Sequence, residues 1–115
     1  MARIAVGIGS PAYSSERGFT ALNFVRTALA EGHGVGVFLF EDGIFLAKKG
    51  QDPGNFANPL PWLLEVLEAG VEVRFCGTCA KERGLSEGEV VEGVHKGGMP
   101  DFVRMVVDSD RNVVF

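Results

Sequence analysis

The chain has 115 residues, of which 46% are hydrophobic, and its formal net charge at pH 7 is −4. This length suits one folded domain that buries its own core. The acidic balance argues against direct nucleic-acid binding, because the phosphate backbone attracts a basic protein face. The apolar runs are far shorter than a bilayer span, and the first apolar stretch is too short for a signal peptide, so we expect no membrane segment. Two cysteines do not make a disulfide framework in a chain of this size, which favours a cytoplasmic protein with reduced thiols.

Strand-like and helix-like segments alternate along the chain. Apolar periodicity and bounding glycines predict five strands, at Arg3–Ile8, Val35–Phe40, Val71–Phe75, Gly93–His95 and Asn112–Phe115. The helices are predicted from Phe19 to Leu29, over a short piece from Ile44 to Lys48, from Trp62 to Leu67, after Cys76, after the capping-box pattern Ser86–Glu89, and over Phe102–Val107. Gln51–Pro61 is predicted to be a loop, and its apolar neighbours Phe56, Leu60 and Trp62 are expected in the core or in an oligomer contact. This alternation predicts an α/β fold with a mostly parallel sheet between helices.

The two cysteines lie where the third strand gives way to a helix. Cys76-Gly77-Thr78-Cys79 directly follows the predicted strand Val71–Phe75. Backbone N–H groups at a helix start stabilise a thiolate and lower the pKa of a thiol. Reactive groups gather at the carboxyl ends of parallel strands. We therefore expect Cys76 and Cys79 to share one edge of the sheet with Glu41, Asp42 and the loop 9–15.

Several functions fit a cysteine pair with this spacing. One thiolate accepts sulfur as a persulfide, or the pair cycles between dithiol and disulfide, or both cysteines are inert packing residues. Lys81 and Arg83 add positive potential near the thiols. A metal site is disfavoured, because two cysteines supply half of a tetrahedral zinc shell, and His33 and His95 lack a fixed ligand spacing from them. We expect both histidines to be surface or packing residues and no metal to be bound.

The segment from Gly7 to Ala12 formally matches the G-x-G-x-x-A dinucleotide fingerprint. The match is weak, because Gly7 is predicted inside the strand and Pro11 interrupts the turn. The acidic residues after the second strand also come later than ribose recognition requires. We expect no cofactor here and interpret the segment as a turn that needs small residues.

Four stretches together resemble the DsrE/DsrF-like family, which includes TusD-type and DsrE-type sulfur-relay proteins; they are residues 9–15, 32–43, 76–85 and 109–115. The resemblance spans almost the whole chain. It implies a single DsrE-like domain, residues 1–115, folded as a three-layer α/β/α sandwich with a mainly parallel five-stranded sheet. It also implies a homo-oligomer (trimer or hexamer) or a hetero-oligomer with paralogous subunits.

The resemblance further implies a sulfur carrier, with sulfurtransferase activity if the site is active. The family's persulfide-bearing cysteine falls on Cys76, which would take sulfur from a donor and pass it to a small acceptor protein of the DsrC/TusE type. Cys79 has no counterpart in TusD, although other DsrE-like proteins carry a C-x-T-C pattern. A neighbouring thiol attacks a persulfide, releases sulfide and leaves a disulfide. A dithiol redox protein using the Cys76/Cys79 pair and a non-catalytic oligomeric scaffold remain alternatives. The redox interpretation ranks second, because a thioredoxin fold needs an antiparallel hairpin and a cis-proline near the cysteines. Pro100, the one proline after Cys79 in the sequence, is predicted to start the last helix, where proline is ordinarily trans.

Overall fold

The structure is a computed structural model that describes residues 1–54 and 58–115. Its strands are β1 (Arg3–Ile8), β2 (Gly34–Leu39), β3 (Glu72–Cys76), β4 (Val94–Gly97) and β5 (Arg111–Val114). Its α-helices are α1 (Arg17–Ala30), α2 (Leu60–Glu68), α3 (Gly77–Glu82) and α4 (Met99–Val107). Two 3-10 helices, Glu41–Ala47 and Glu87–Glu89, complete the regular structure of the described residues.

The five strands form one sheet in the order β4-β3-β2-β1-β5, and every pairing is parallel. Parallel neighbours need a crossover connection, and helices supply most of the crossovers here. The predicted α/β fold with a parallel five-stranded sheet is therefore confirmed. All five strands end at the same edge, so their carboxyl ends lie side by side.

Alternate residues of each strand pack on opposite faces of the sheet. The larger core lies on the face covered by α1 and α2, where Val6, Val37 and Val73 of three adjacent strands are almost completely buried. The smaller core lies under α4 and is built from Ala5, Phe38 and Met105. Helices on both faces make the fold a three-layer sandwich.

Glycine follows the ends of two helices. Gly32 after α1 and Gly70 after α2 have φ of +88° and +84°, a backbone region that residues with a Cβ rarely adopt. The predicted capping box is also present, since the Glu89 carboxylate accepts from the Ser86 N–H at 3.0 Å. Only a single 3-10 turn follows it, in place of the predicted short α-helix.

Several element boundaries differ from the predictions. The segment after β2 is a 3-10 helix that begins at Glu41, and α2 begins at Leu60, inside the predicted loop. Strand β4 continues to Gly97 instead of ending at His95, because it pairs with β3 as far as Cys76. Leu60 and Trp62 pack partly buried against the larger core, as expected, whereas Phe56 lies outside the described residues. None of the helices in residues 1–54 and 58–115 combines the length and the apolar character needed to cross a bilayer.

Candidate functional site

Cys76 is the last residue of β3 and also caps the first turn of α3. Its backbone is extended, with φ −67° and ψ 115°, and its Sγ accepts a hydrogen bond from the Cys79 backbone N–H at 3.2 Å. A sulfur atom in this position takes the role of an N-cap oxygen. The predicted strand-to-helix junction is thus the observed one, and the first helical turn is directed at the sulfur of Cys76.

Cys79 is held by the turn that follows β2. The backbone N–H of Glu41 donates to Cys79 Sγ at 3.1 Å. Glu41 has φ +48°, which costs free energy for a residue other than glycine and has to be maintained by the surrounding contacts. The turn therefore presents a backbone donor to Cys79 at the expense of local strain.

Arg83 ties this turn to α3. Its Nε donates to Asp42 Oδ1 at 2.9 Å, and its Nη1 donates to the backbone carbonyl of Cys79 at 3.3 Å. One guanidinium thus bridges the residue next to Glu41 and the peptide of Cys79. The bridge fixes the end of β2 relative to the cysteine helix.

The two cysteines pack on different sides of the sheet. Cys76 contacts the smaller core under α4, and Cys79 contacts the larger core. Burial raises the pKa of the Cys79 thiol, and its hydrogen bond with the Cys76 side chain raises it further. The Glu41 N–H and the Arg83 charge act in the opposite direction but are outweighed. The expectation that this junction lowers the thiol pKa is therefore wrong for Cys79, which stays protonated at neutral pH.

A cavity of about 420 Å³ opens beside Cys76. Its lining residues come from α3, from the end of β4 and from the start of α4; they are Gly77, Thr78, Lys81, Lys96, Gly97, Gly98 and Asp101. Asp101 Oδ2 accepts from the Gly98 N–H at 2.8 Å and so caps α4. The two lysines are exposed cations at the edge of this cavity.

The other residues singled out in the sequence have simpler positions. Glu41 and Asp42 do join the cysteines, whereas Tyr13 of the loop 9–15 lines a separate cavity and donates to Gln51 Oε1 at 2.6 Å. His33 Nδ1 accepts from the Ala2 N–H at 3.0 Å, and His95 is exposed on β4. In the described part of the chain, no group of three or more His, Cys, Asp or Glu side chains is arranged to hold a metal ion.

The glycines of the dinucleotide-like segment serve packing. A Cβ on Gly7 would lie 2.6 Å from Phe102 Cζ, and one on Gly9 would lie 2.7 Å from Phe40 Cε2. Glycine is needed at Gly7 near the end of β1 and at Gly9 just after it, so that these aromatic rings can lie against the sheet. The interpretation as a segment that requires small residues agrees with this packing.

Sequence reasoning missed Lys96, Gly97 and Asp101 as neighbours of the cysteines. The available signal was strand order: once β4 is placed beside β3, the last residues of β4 must lie next to Cys76. The brief strand predicted at Gly93–His95 stopped one residue short of Lys96. The role of the Glu41 backbone N–H had no sequence signal, because it depends on a turn conformation that glutamate rarely adopts.

Fold and site together define a three-layer α/β protein with an all-parallel sheet and a cysteine pair at the end of a central strand. A model of the DsrE/DsrF-like family matches residues 2–115, and the chain belongs to that family. The resemblance inferred from the four sequence stretches is thereby confirmed.

Relatives extend over nearly the whole chain. An uncharacterised protein of Methanopyrus kandleri is 50% identical over 112 residues, which cover 97% of this chain and 92% of that protein. The sulfurtransferase TusD of an Enterobacter species is 28% identical over 127 residues, covering 98% of this chain and 99% of that protein. The crystal structure of the YchN protein of Escherichia coli superposes with a TM-score of 0.89 at 27% identity, and each chain is fully covered.

Proposed function

We propose that this protein is a sulfur-relay protein that carries sulfur as a persulfide on Cys76, within one DsrE-like domain formed by residues 1–115. Family membership and relatives named as sulfurtransferases support a sulfur-relay role in general. The assignment to Cys76 depends on one observation: its sulfur accepts the Cys79 N–H at 3.2 Å, at the end of a central strand. A persulfide formed there is still anchored by the same first turn of α3.

The environment of Cys79 supports unequal roles for the two thiols. A protonated Cys79 is a hydrogen-bond donor and a poor nucleophile, because only the thiolate attacks sulfur efficiently. Cys79 therefore does not discharge a persulfide on Cys76 at neutral pH. Deprotonation of Cys79 turns it into a resolving thiol that releases sulfide and leaves a disulfide.

Intact-mass measurement tests this assignment. The reduced protein, incubated with a cysteine desulfurase and cysteine, is expected to gain the mass of one sulfur atom. Cys76→Ser should abolish the gain, and Cys79→Ser, the matched control, should keep it and extend the lifetime of the persulfide at alkaline pH. A full gain in the Cys76→Ser variant would refute the assignment to Cys76.

Oligomeric assembly and protein partners are part of the proposal. Met99, Val103 and Val107 recur at four-residue spacing on α4 and are more than half exposed, and Val114 of β5 is 56% exposed. Such an apolar stripe is typical of a protein contact. We assign it to assembly, as a trimer, a hexamer or a complex with paralogous subunits. A sulfur donor and a small DsrC/TusE-like acceptor are the expected partners, in the reducing cytoplasm.

Light scattering coupled to size exclusion tests the assembly. Val103→Glu should shift the protein to a smaller species, because a charge on the stripe is not tolerated in a buried contact. Thr27→Glu, on the opposite helical layer, is the control and should leave the mass unchanged. A monomeric wild-type protein would contradict the assignment of the stripe to assembly of this chain.

A dithiol redox protein is the second candidate, favoured by the close approach of the Cys79 peptide to Cys76 Sγ. It predicts loss of the mass of two hydrogen atoms on mild oxidation and reductase activity that requires both cysteines. The all-parallel sheet argues against a thioredoxin-type mechanism, which uses an antiparallel hairpin. A protein that neither gains sulfur nor forms the disulfide would instead fit the third possibility, a non-catalytic oligomeric scaffold.

A further inference from the structure

The cavity beside Cys76 has the composition of an anion site. We propose that it binds the oxyanion end of a small sulfane-sulfur donor, with thiosulfate as the simplest member of that class. Cys76 would then be loaded directly from a small molecule as well as by a protein donor. The proposal rests on the proposed function, because it requires Cys76 to accept sulfur.

The cavity adjoins Cys76 on two sides. Gly77, which follows Cys76 in the chain, and Gly97, which is its partner across the β3–β4 pairing, both line it. Paired strands lie about 4.8 Å apart, which is the spacing between the backbones of Cys76 and Gly97. Cys76 itself does not line the cavity, so a donor held there has to extend past Gly77 or Gly97 to reach its sulfur. Its volume of about 420 Å³ is ample for a tetrahedral anion and its water shell.

Glycine keeps the cavity open and brings a lysine to its wall. A Cβ on Gly77 would lie 2.9 Å from Lys96 Cδ and 3.0 Å from Lys96 Cγ, so the stem of that lysine lies directly against the glycine. A Cβ on Gly97 would lie 2.7 Å from Asp101 Oδ2. Any side chain at Gly77 therefore pushes Lys96 away from the residue that follows Cys76.

The charges of the cavity favour an anion although the protein as a whole is acidic. Lys81 and Lys96 supply two cations, and the single lining carboxylate, Asp101, is engaged with the Gly98 N–H and lies 3.9 Å from Arg74 Nε. The formal net charge of the chain is −4, so this local excess of positive charge is not a general property of the surface. Glu87 competes for the site, since its Oε1 lies 3.3 Å from Lys96 Nζ and both side chains are largely exposed.

Thiosulfate provides a balanced transfer step at this place. The Cys76 thiolate attacks the outer sulfur of thiosulfate, a new S–S bond forms on Cys76, and the bond to the sulfonate sulfur breaks. The electron pair of that bond leaves with sulfite, and the product on the protein is the Cys76 persulfide. The total charge is conserved and no external oxidant or reductant is required. Lys81 and Lys96 would hold the sulfonate oxygens and stabilise the sulfite leaving group.

Loading from thiosulfate, followed by intact mass and by sulfite release, tests the proposal. Lys96→Gln is expected to raise the half-saturating thiosulfate concentration about threefold to tenfold at low salt, and Gly77→Ala should act in the same direction. Glu87→Gln should lower that concentration, because it removes the competitor for Lys96. Lys49→Gln removes an exposed lysine outside the cavity and is the control, expected to match the wild type.

Two further measurements separate this proposal from the proposed function. Cysteine-desulfurase loading should be unchanged in Lys96→Gln, because a protein donor does not need the anion cavity. Amide chemical-shift titrations with thiosulfate, sulfate and phosphate should move Gly77, Gly97 and Gly98, and sulfate should compete with thiosulfate in the loading assay. Desulfurase loading without thiosulfate loading would overturn this inference and leave the proposed function intact. Anion binding without sulfur transfer from any donor would overturn both.

Discussion

Replacing Gly43 by alanine should damage both the stability of the protein and the environment of Cys79. Gly43 is buried in the 3-10 helix Glu41–Ala47, and a Cβ there would lie 2.0 Å from the Ile8 carbonyl oxygen and 2.7 Å from the Ile8 carbonyl carbon. These are backbone atoms of a strand paired on both sides, so they cannot rotate away. An ordinary carbon–oxygen contact is about 3.3 Å, so the turn must move by roughly 1 Å.

Overpacking of this kind costs about 2–3 kcal/mol of the free energy of unfolding, which corresponds to a melting temperature lower by about 8–15 °C. Urea unfolding with an unchanged m-value is the appropriate assay. Gly88→Ala is the matched control, because nothing lies within 4 Å of a Cβ at that exposed position. Its free energy of unfolding should stay within about 0.5 kcal/mol of the wild type.

The same substitution should slow the alkylation of Cys79. Movement of the turn lengthens the hydrogen bond from the Glu41 N–H to Cys79 Sγ, now 3.1 Å. Because that N–H lowers the pKa of the Cys79 thiol, its loss leaves less thiolate to react at a given pH. A Gly43→Ala protein as stable as the Gly88→Ala protein would refute the argument from the Ile8 contact. Lost stability with an unchanged rate of Cys79 alkylation would refute the role of the turn in holding Cys79.

Three further substitutions test other parts of the structure. Arg83→Gln removes a cation that lowers the pKa of the Cys79 thiol. The pH at which the alkylation rate of Cys79 is half-maximal should therefore move upward, and a downward shift would contradict the geometry described for Arg83. The pKa of Glu72 lies below its ordinary 4.5 because Arg74 and Arg104 donate to its carboxylate. This contribution to stability is present above pH 4.5 and is lost as the pH falls through the lowered pKa. Glu72→Gln should therefore lower the free energy of unfolding in urea by roughly 1 kcal/mol at pH 7 and by little at acid pH. Equal losses at both pH values would contradict the role of the Glu72 carboxylate. Phe38→Ala empties the centre of the smaller core, where the Phe38 ring stacks on Phe102 with 5.1 Å between ring centroids. It should lower the free energy of unfolding by about 3–5 kcal/mol, whereas a loss below about 1 kcal/mol would mean that α4 moves in to close the cavity.

The architecture was accessible from the sequence because each element carries its own local signal. The continuous apolar run around Val37 and Phe38 predicts a strand covered on both faces, and Gly32 and Gly70 mark where two helices end. The alternation of these elements then fixes a parallel sheet. Errors fell at boundaries such as His95, where pairing with a neighbouring strand, and not local propensity, decides the length of β4.

The site was accessible only in part. The position of Cys76 at a strand end follows from local pattern, but the partners of Cys79 do not, because Glu41 is 38 residues away and acts through its backbone. The direction of the pKa shift of Cys79 also escaped prediction, since burial outweighs both the nearby N–H group and the guanidinium. Local sequence reports which groups begin a helix, whereas desolvation depends on the whole fold.

The two cysteines pack against different cores, so each helical layer covers the core that one of them contacts. Cys76 shares its packing with Phe40 and Phe102 beneath α4, and Cys79 shares its packing with the residues beneath α1 and α2. Under the proposed function, we therefore expect a partner on the outer surface of α4 to affect Cys76 more than Cys79, and a change in the opposite layer to affect Cys79 more. If Cys76 carries sulfur as proposed, we expect loading and discharge to respond separately to mutations on opposite sides of the sheet.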